Sequence, residues 1–346
     1  YITNTIIKYL LIIMTPIQRT IINKEIKNTP IWLMRQAGRY LPEFREIRKQ
    51  NDNFINLCLN ESLSSEITLQ PLKRFELDAA IIFSDILMIP HGINQKVEFK
   101  KDFGPLLGPL NIETISKVDE IDFLQKLYPI YKSIKKVSVN KLIKDKDLIG
   151  FVGAPWTLLV YMINRRSPKK ELIKDFFKDE YLINRTLAII EKFLKLHINH
   201  QIKNGATIIQ IFDSWAGLLE EKNLPSYVYI PTLNLVDYVK SLKVPVICFP
   251  KGIKNYKSYC DIVKPNAISI DYDVDPTSIC KEIKIPIQGG LDPKVLLTDT
   301  ENLKKQTLRY LEAFKDHPYI FNLGHGVLPE TSPDMVDYLV KMVKDY

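Results

Sequence analysis

The sequence of 346 residues contains only four cysteines, and they are arranged neither as metal ligands nor as a disulfide framework. They are Cys58, Cys248, Cys260 and Cys280, with no C-x-x-C pair and no histidine at metal-ligand spacing. This pattern predicts free, mostly buried thiols in a reducing compartment, and it excludes a zinc finger or a disulfide-stapled fold. The sequence therefore predicts no metal site.

Long hydrophobic runs and tracts of like charge are also missing. No apolar run reaches the roughly 18–20 residues that a helix needs to cross a bilayer, so membrane insertion is not expected. Lys and Arg number 48 against 40 Asp and Glu, and the net charge of +8 favours an anionic partner. Because the basic residues are mostly scattered lysines, without zinc-finger spacing or an RNP-type aromatic box, nucleic acid is not the expected partner.

Acidic residues are absent from the first 23 positions, which carry Lys8, Arg19 and an apolar patch at Leu10–Met14. Such a segment is typical of a transit-peptide remnant, although a frayed N-terminal tail has the same composition. The heavy use of Ile, Lys and Asn indicates an AT-rich genome. We therefore predict a leader in residues 1–24 and an apicomplexan-like source. The location expected after leader removal is a plastid of the apicoplast type, and the cytoplasm is the alternative.

No linker rich in Pro, Gly or Ser divides the chain, so residues 25–346 are expected to form one domain. Eight short apolar runs alternate there with longer amphipathic stretches such as Leu182–His200. The eight runs are Ile31–Met34, Ala79–Phe83, Leu148–Val152, Thr207–Phe212, Pro245–Phe249, Ala267–Ile270, Ile285–Ile287 and Tyr319–Leu323.

Continuous apolar strands separated by helices predict a parallel sheet that is buried on both faces. Eight such units predict a single-domain (β/α)8 barrel of the TIM type, with its active site at the C-terminal ends of the strands. Periodicity does not show closure, so an open doubly wound sheet is the alternative. No G-x-G-x-x-G follows the first run, which argues against a dinucleotide fold.

Residues that carry chemistry follow several of these runs directly. Arg35 and Arg39 flank a glycine after the first run, and planar guanidinium groups grip carboxylates or phosphates bidentately. Asp85 closes the second run, where it could accept several N–H donors or simply cap a helix. His325 stands between two glycines after the last run, in a setting that lets backbone approach a ligand closely.

Longer strings around these residues are more specific than the residues alone. The strings are PIWLMRQAGRYLPEFRE at 30–46, GFVGAPWTLLVYM at 150–162 and FNLGHGVLPETSPDMV at 321–336. In order, and from about Pro30 to the end of the chain, they resemble the uroporphyrinogen decarboxylase family. Two departures are visible: Tyr272 stands where Trp is expected, and Gly290 stands where Asn is more usual.

This resemblance implies roles for individual residues. Arg35, Arg39 and Arg48 would grip substrate carboxylates, together with the intervening Gln36, Ala37 and Gly38. Asp85 would lie at the centre of the macrocycle. Tyr161, Ser214 and His325 would contact the acetate and propionate arms, and Asp85, Arg35 and Tyr161 would be the catalytic group. From position alone, Tyr161 could instead be a core tyrosine, and Ser214 could cap a helix.

The implied reaction removes CO2 from the four acetate arms of uroporphyrinogen III and gives coproporphyrinogen III in haem biosynthesis. Loss of CO2 needs an electron sink, which cofactors or metals usually supply. Here a protonated pyrrole can serve, so no cofactor is expected. Arg35 and an arginine-held water both fit as the proton donor. The expected partners are the anionic tetrapyrrole and, in a homodimer, a second copy of the chain.

Two other functions remain open from the sequence. A corrinoid- or thiol-methyltransferase of the same superfamily would need a zinc-binding His/Cys cluster at the strand ends, and no H-x-C motif occurs. A non-catalytic tetrapyrrole carrier would need an anion-binding pocket without a full set of polar strand ends. Metal analysis would separate the first of these from the decarboxylase, and substrate turnover would separate the second.

Overall fold

Strands and helices alternate along the chain, as the apolar runs predict. The computed structural model describes residues 14–100, 103–168 and 171–346. The strands are β1 (Ala79–Ile81), β2 (Val97–Lys100), β3 (Gly104–Leu107), β4 (Asp147–Gly153), β5 (Ile208–Asp213), β6 (Val246–Pro250), β7 (Ala267–Ile270), β8 (Ile287–Gly289) and β9 (Tyr319–Ile320).

The first seven helices are α1 (Pro16–Asn23), α2 (Pro42–Gln50), α3 (Phe54–Cys58), α4 (Glu61–Arg74), α5 (Met88–Gly92), α6 (Ile112–Ser116) and α7 (Glu120–Ser138). The remaining ones are α8 (Pro155–Asn164), α9 (Glu180–Lys203), α10 (Ile230–Ser241), α11 (Tyr256–Val263), α12 (Pro276–Glu282), α13 (Thr300–Phe314) and α14 (Pro333–Asp345). The predicted helix Leu182–His200 is confirmed inside α9. In the described ranges, no helix is both long enough and apolar enough to cross a membrane.

Seven of the strands form one parallel sheet in the order β1-β4-β5-β6-β7-β8-β9. Its registers pair Ala79 with Asp147 at one end of the order and Gln288 with Ile320 at the other. Strands β2 and β3 form a separate antiparallel hairpin that the sequence did not predict. The predicted α/β architecture with a parallel sheet is therefore confirmed.

The first predicted strand, Ile31–Met34, is the one apolar run that does not form a strand. Ile31 makes a single parallel bridge to Phe321. The Trp32 amide donates to the Phe321 carbonyl at 3.3 Å, and the Asp78 amide donates to the Ile31 carbonyl at 2.8 Å. The segment thus contacts both ends of the strand order without extending as a strand, and seven strands of the predicted eight are formed.

Polar side chains meet inside the curve of this sheet. The Trp32 indole N–H donates to Gln288 Oε1 at 2.8 Å. Gln288 Nε2 in turn donates to Gln210 Oε1 at 3.1 Å and to Ser269 Oγ at 2.6 Å. These residues are fully buried, so the mutual hydrogen bonds replace the water that each polar group loses. The network holds β5, β7 and β8 and the first apolar segment around a common interior.

Helix α1 covers the N-terminal end of the sheet. The side chains of Thr15 and Gln18 donate to the Asp147 carboxylate at the start of β4, Gln18 at 3.1 Å. Ile17 and Ile21 are buried in one cluster with apolar residues of the strands. The described part of the segment expected as a leader is therefore packed into the fold, because α1 is bound both by hydrogen bonds and by apolar contacts.

Asp78 joins three distant parts of the chain at this same end. Its Oδ2 accepts the Ile31 amide at 2.7 Å. The Lys344 ammonium of α14 lies 2.6 Å from Oδ1 and 2.5 Å from Oδ2. Asp78 is 5% exposed, so loss of its carboxylate would leave the Ile31 amide and a partly buried ammonium without their partner.

We predict that Asp78→Ala lowers the free energy of unfolding by about 2–4 kcal/mol, the usual cost of orphaning a buried donor and a charge. Urea denaturation at pH 7 measures this loss. Asp337→Ala is the matched control, because it breaks a 2.6 Å ion pair with Lys341 on the exposed side of α14 and should change stability little. Equal losses in both variants would contradict the role given to Asp78.

Candidate active site

The C-terminal ends of the parallel strands gather the polar residues at one edge of the sheet, which we call the mouth. Each strand of the parallel sheet contributes at least one residue at or just after its end. These residues are Asp85, Gly153, Asp213, Lys251, Asp271, Gly290 and His325. The loop after Ile31 adds the arginine-bearing turn 35–39. The predicted clustering of the residues that follow the apolar runs is thereby observed.

The arginine-bearing turn is held from below by Gln36. The side-chain oxygen of Gln36 accepts the Leu33 N–H at 3.0 Å, and its side-chain nitrogen donates to the Ala79 carbonyl of β1 at 2.9 Å. The Tyr40 hydroxyl donates to the Gln36 carbonyl at 2.8 Å. Gln36 is buried and its side chain is occupied by backbone groups, so it fixes the turn and presents no free amide to a ligand.

A second set of contacts docks the turn onto the segment after β9. The Met34 amide donates to Asn322 Oδ1 at 3.0 Å, and the Val327 amide donates to the Met34 carbonyl at 2.9 Å. Arg35 has a φ of +58°, which is uncommon for a residue with a side chain. A Cβ at Gly326 would clash with the aliphatic chain of Arg35. Glycine at 326 therefore leaves the space that the Arg35 side chain occupies.

The guanidinium groups of Arg35 and Arg39 are exposed at the mouth. Arg48 is half-buried, donates to the carbonyls of Asn51 and Asp52, and lies 5.7 Å from the centre of the Phe54 ring. In the part of the chain that the structure describes, the arginines paired with carboxylates lie elsewhere: Arg19 with Glu25, Arg74 with Glu43 and Arg309 with Asp275. The arginines of the mouth therefore keep their charge available to an external anion.

Asp85 lies at the mouth within reach of the charge of Arg35. Its Oδ1 accepts the Leu87 amide at 2.8 Å in the turn before α5, but Leu87 is the N-cap residue and α5 has no side-chain cap, so Asp85 does not cap the helix. The side chain is half-buried. Desolvation raises the pKa of Asp85 to about 6, although the Leu87 N–H and the charge of Arg35 both oppose the shift. The second carboxylate oxygen is thus placed in a poorly solvated site that favours N–H donors or a cation.

Tyr161 and Ser214 lie on adjacent elements at the side of the mouth. Tyr161 is half-buried in the second turn of α8, and its ring packs edge-on against Trp215 at 5.9 Å between ring centres. Burial, with a smaller effect from the Asp85 charge, raises the pKa of Tyr161, so its hydroxyl stays protonated and can donate. Ser214 is half-buried in the turn after β5 and does not cap a helix, since the following 3₁₀ turn at 216–218 has no side-chain cap.

His325 faces cations rather than carboxylates. Burial, followed by the charges of Lys251 and Arg35, lowers the pKa of His325 to about 4. Its imidazole is therefore neutral at pH 7, and one ring nitrogen can donate while the other accepts. Lys251 also lowers the pKa of Asp271, although burial outweighs it and the net shift is upward.

The two departures from the family pattern have physical explanations. Gly290 has a φ of +113°, and a Cβ there would lie 2.5 Å from the Tyr310 ring, so no larger residue fits beside Tyr310. The Tyr310 hydroxyl donates to the Gly290 carbonyl at 2.6 Å. Tyr272 is 36% exposed, and the Lys251 ammonium lies 6.0 Å from its ring centre, which is a cation–π distance.

Sequence reasoning did not assign roles to three residues of the mouth. Lys251 adds a cation on the wall opposite the arginine-bearing turn. Asp213 and Thr157, both fully buried, are joined by a 2.6 Å hydrogen bond behind Ser214. The apolar run before Asp213 marked the strand end, but nothing local to either residue indicated that they would meet. Among the described residues, no group of three or more His, Cys, Asp or Glu side chains could hold a metal ion.

A curled parallel sheet with arginines and a lysine beside a desolvated carboxylate defines the class: an α/β protein with a cation-rich mouth at its strand ends. Comparison with known proteins narrows this class. Residues 14–346 match the family described as uroporphyrinogen decarboxylase (URO-D), and the chain belongs to this family. The prediction of a carboxy-lyase of this family is thereby confirmed.

The curated relatives match over almost their whole length. Uroporphyrinogen decarboxylase from Rickettsia bellii is 40% identical over 338 residues, which cover 94% of this chain and 99% of the relative. Uroporphyrinogen decarboxylase from Rickettsia rickettsii strain Sheila Smith is 40% identical over 324 residues, covering 92% of this chain and 93% of the relative. These relatives give no support to the apicomplexan-like source expected from composition.

Solved structures show the fold. A methyltransferase from Methanosarcina mazei superposes with a TM-score of 0.77 at 16% identity, covering 94% of this chain and 96% of the other. A B12-independent methionine synthase from Shewanella sp. W3-18-1 has a TM-score of 0.50 at 13% identity, covering 82% of this chain and 86% of the other. At these identities, the likeness concerns the architecture alone.

We predict that Lys251→Gln raises the pKa of His325, because removal of the nearby positive charge favours the imidazolium form. A long-range ¹H–¹⁵N NMR titration of the five histidines measures it, with His325→Asn used to assign the signal. Lys254→Gln on the same loop is the charge-matched control and should leave the His325 pKa in place. An unchanged pKa in Lys251→Gln would contradict this electrostatic arrangement.

The depressed pKa of His325 also affects stability. Since its folded value of about 4 lies below the ordinary 6.5, the unfolded chain binds more protons in this interval. His325 should therefore contribute a loss of stability as pH falls from about 6.5 towards 4. Urea midpoints of the wild type and His325→Asn measured across this interval test this: the wild type should lose more stability than the variant as pH falls.

Proposed function

We propose that this chain removes CO2 from the four acetate side chains of uroporphyrinogen III and yields coproporphyrinogen III. The proposal rests on the arrangement of charges at the mouth, where a carboxylate and guanidinium groups occur together. The desolvated carboxylate of Asp85 lies within reach of the charge of Arg35, and neither Arg35 nor Arg39 pairs with a carboxylate among the described residues. A tetrapyrrole with N–H groups at its centre and carboxylates at its rim has the complementary pattern.

Asp85 acts in this proposal as the electrostatic stabiliser. Protonation of a ring carbon next to a bridge converts one pyrrole into an iminium cation. The C–CO2 bond then breaks, and its electron pair neutralises the iminium and leaves an exocyclic methylene. A proton added to this methylene and a proton lost from the ring carbon restore the pyrrole and leave a methyl group. Asp85, already placed and poorly solvated, stabilises the cation without reorganisation.

The arginine-bearing turn binds the carboxylates. Arg35 and Arg39 are exposed and hold the acids of the rim bidentately. In the described structure, the amide groups of Ala37 and Gly38 donate to no other backbone carbonyl, which leaves them available to the same acids. Gln36 contributes by holding the turn in place, because its side chain is hydrogen-bonded to the backbone of Leu33 and Ala79.

Arg48 reaches the site less directly than the other two arginines. Its guanidinium already donates to two backbone carbonyls of its own loop. Binding of a substrate carboxylate by Arg48 would therefore use its remaining N–H groups. Arg35, or a water that it holds, supplies the proton, since the charge of Arg35 acts on Asp85, Tyr161 and His325.

Tyr161, Ser214 and His325 contact the acetate and propionate arms as neutral groups. The raised pKa of Tyr161 and the lowered pKa of His325 keep both side chains uncharged at pH 7. Neutral donors can orient an acetate for reaction without stabilising its negative charge as strongly as an arginine would. This matters because CO2 leaves only when that charge is given up.

We also propose the finer features of the architecture. The hydrogen bonds of the Ile31 segment to Phe321 and Asp78 support a barrel that is closed by this segment in place of an eighth strand. A homodimer and a plastid location remain proposals from the sequence. The packing of α1 favours a leader shorter than residues 1–24, and a fusion of the N-terminal segment to a fluorescent protein would test targeting.

Turnover after exhaustive chelation tests the proposed function against its alternatives. We expect purified chain to convert uroporphyrinogen III into coproporphyrinogen III at an undiminished rate. Activity that returns only with added zinc would contradict the cofactor-independent mechanism. Binding of the tetrapyrrole without turnover would instead favour a carrier.

We predict that Asp85→Asn lowers kcat by a hundredfold or more, with a smaller change in KM, because the lost charge matters most in the cationic transition state. Asparagine keeps an oxygen for the Leu87 amide, so the fold should survive. In the wild type, kcat/KM should fall as pH is lowered through about 6, where Asp85 of the ligand-free enzyme becomes protonated. Single-turnover rates and melting temperatures of the same samples measure both effects. A destabilised variant with normal turnover would mean that Asp85 only stabilises the turn before α5.

We predict that Arg39→Lys raises KM, because the ammonium keeps the charge but loses the planar fork that grips a carboxylate. Steady-state kinetics with uroporphyrinogen III measure the change. Arg185→Lys, on the exposed surface of α9, is the control and should behave as the wild type. Unchanged KM and kcat in Arg39→Lys would remove Arg39 from the site.

A further inference from the structure

The turn that carries Ser214 is anchored by a buried pair of polar side chains. Thr157 Oγ1 donates to Asp213 Oδ1 at 2.6 Å. The same Thr157 oxygen accepts the backbone N–H of Trp215 at 3.1 Å. Thr157 is fully buried and Asp213 is 1% exposed, so water does not compete for either bond. One hydroxyl thus connects both sides of Ser214.

Helix α8 makes two further contacts with the same turn. The Trp156 indole N–H donates to the Trp215 carbonyl at 2.9 Å. The Tyr161 ring packs edge-on against the Trp215 ring. Thr157 and Tyr161 are four residues apart in α8, so they lie one turn apart on the same helix face. Thr157, which fixes the turn, and Tyr161, the proposed ligand contact, are therefore held on the same helix.

We propose that Thr157 and Asp213 are positioning residues for the decarboxylation, which fix the Ser214 hydroxyl and the Trp215 ring relative to Tyr161. The inference rests on the proposed function, because it assumes that Ser214 and Tyr161 meet the arms of the substrate. Neither Thr157 nor Asp213 contacts the ligand in this account. They act through the backbone of the turn and through the Trp215 ring.

The chemistry of Asp213 suits this role. Burial raises the pKa of Asp213 to about 7, although Thr157 and the Trp215 amide oppose the shift. A carboxyl group that retains a proton for much of the time accepts the Thr157 hydrogen bond without placing a full second negative charge near Asp85. Its Oδ2 has no hydrogen-bond partner among the described residues, so the link to Thr157 is its principal side-chain contact.

Removal of the hydroxyl alone tests the proposal. In Thr157→Val the shape is kept, but Asp213 loses its donor and the Trp215 amide loses its acceptor. We expect kcat to fall about tenfold or more, since small misplacements of reacting groups cost this much. KM should change less, because Thr157 makes no hydrogen bond to the arginine-bearing turn in the part of the chain that the structure describes, and this turn still binds the carboxylates. Thr157→Ser keeps the hydroxyl and should restore kcat to near the wild-type value.

Thr307→Val is the matched control. Thr307 is also a fully buried helical threonine, but its hydroxyl has no hydrogen-bond partner among the described residues. This variant should keep wild-type kinetics. A purely structural role for Thr157 predicts a lower melting temperature with unchanged kcat per folded molecule, and that result would overturn the proposal. Equal losses in the Val and Ser variants would also overturn it, because the hydroxyl would not be the cause.

A second pair of variants covers the case in which Thr157→Val does not fold. Asp213→Asn keeps an oxygen for the Thr157 hydroxyl and should retain most of the activity, whereas Asp213→Ala removes the anchor and should lose kcat. Equal activity in these two variants would contradict the proposal. The wild type measured alongside separates the two hypotheses: if it does not decarboxylate uroporphyrinogen III, the proposed function fails. If it does and every variant matches it, only the positioning role fails.

Discussion

Removing a carboxylate from water is unfavourable unless N–H donors or cations replace the lost solvation, and this constraint governs the mouth. Asp85 receives one backbone N–H from Leu87 and the distant charge of Arg35, which together do not offset its burial. The site is thus complementary to a ligand that brings its own N–H groups or a positive charge. At the rim, the arginines have no carboxylate partner among the described residues, so they favour a ligand with negative charge. One molecule with a polar centre and an acidic rim satisfies both.

The two ends of the sheet differ in how completely their charges are paired. At the N-terminal ends of the strands, Asp78 binds Ile31 and Lys344, and Asp147 binds α1 and Thr207. Inside the sheet, Trp32 and Gln288 belong to a fully hydrogen-bonded network. Polar groups there stabilise the fold because their partners are protein groups. At the mouth, Arg35 and Arg39 have no carboxylate partner among the described residues, so their charge is available to a ligand.

Much of the fold could be predicted because its signal is local. Runs such as Ala267–Ile270 form strands, because a strand that is buried on both faces of a parallel sheet needs consecutive apolar residues. The Ile31 run did not form a strand because side chains take the backbone amides that a strand would use: Leu33 donates to Gln36, and Met34 donates to Asn322. The antiparallel hairpin β2–β3 was missed for a similar reason, since only Val97 and Leu107 in it are buried.

The positions of the site residues could be predicted from the sequence, but their contacts with residues far along the chain could not. The positions of Arg35, Asp85 and His325 followed from strand ends, and their roles came from the family resemblance. The buried link between Thr157 and Asp213 spans 56 residues and has no local pattern. The occupied amide of Gln36 likewise depends on β1, 43 residues away. Sequence therefore indicated which groups lie at the mouth, but not which of them are already bound to protein.

A crystal structure of the complex with coproporphyrinogen III would show directly whether Asp85 meets the pyrrole nitrogens. We expect Asp85 to lie within hydrogen-bond distance of these nitrogens, about 2.7–3.2 Å, with Arg35 and Arg39 on carboxylates of the rim. A macrocycle bound with no pyrrole nitrogen in reach of Asp85 would contradict this expectation.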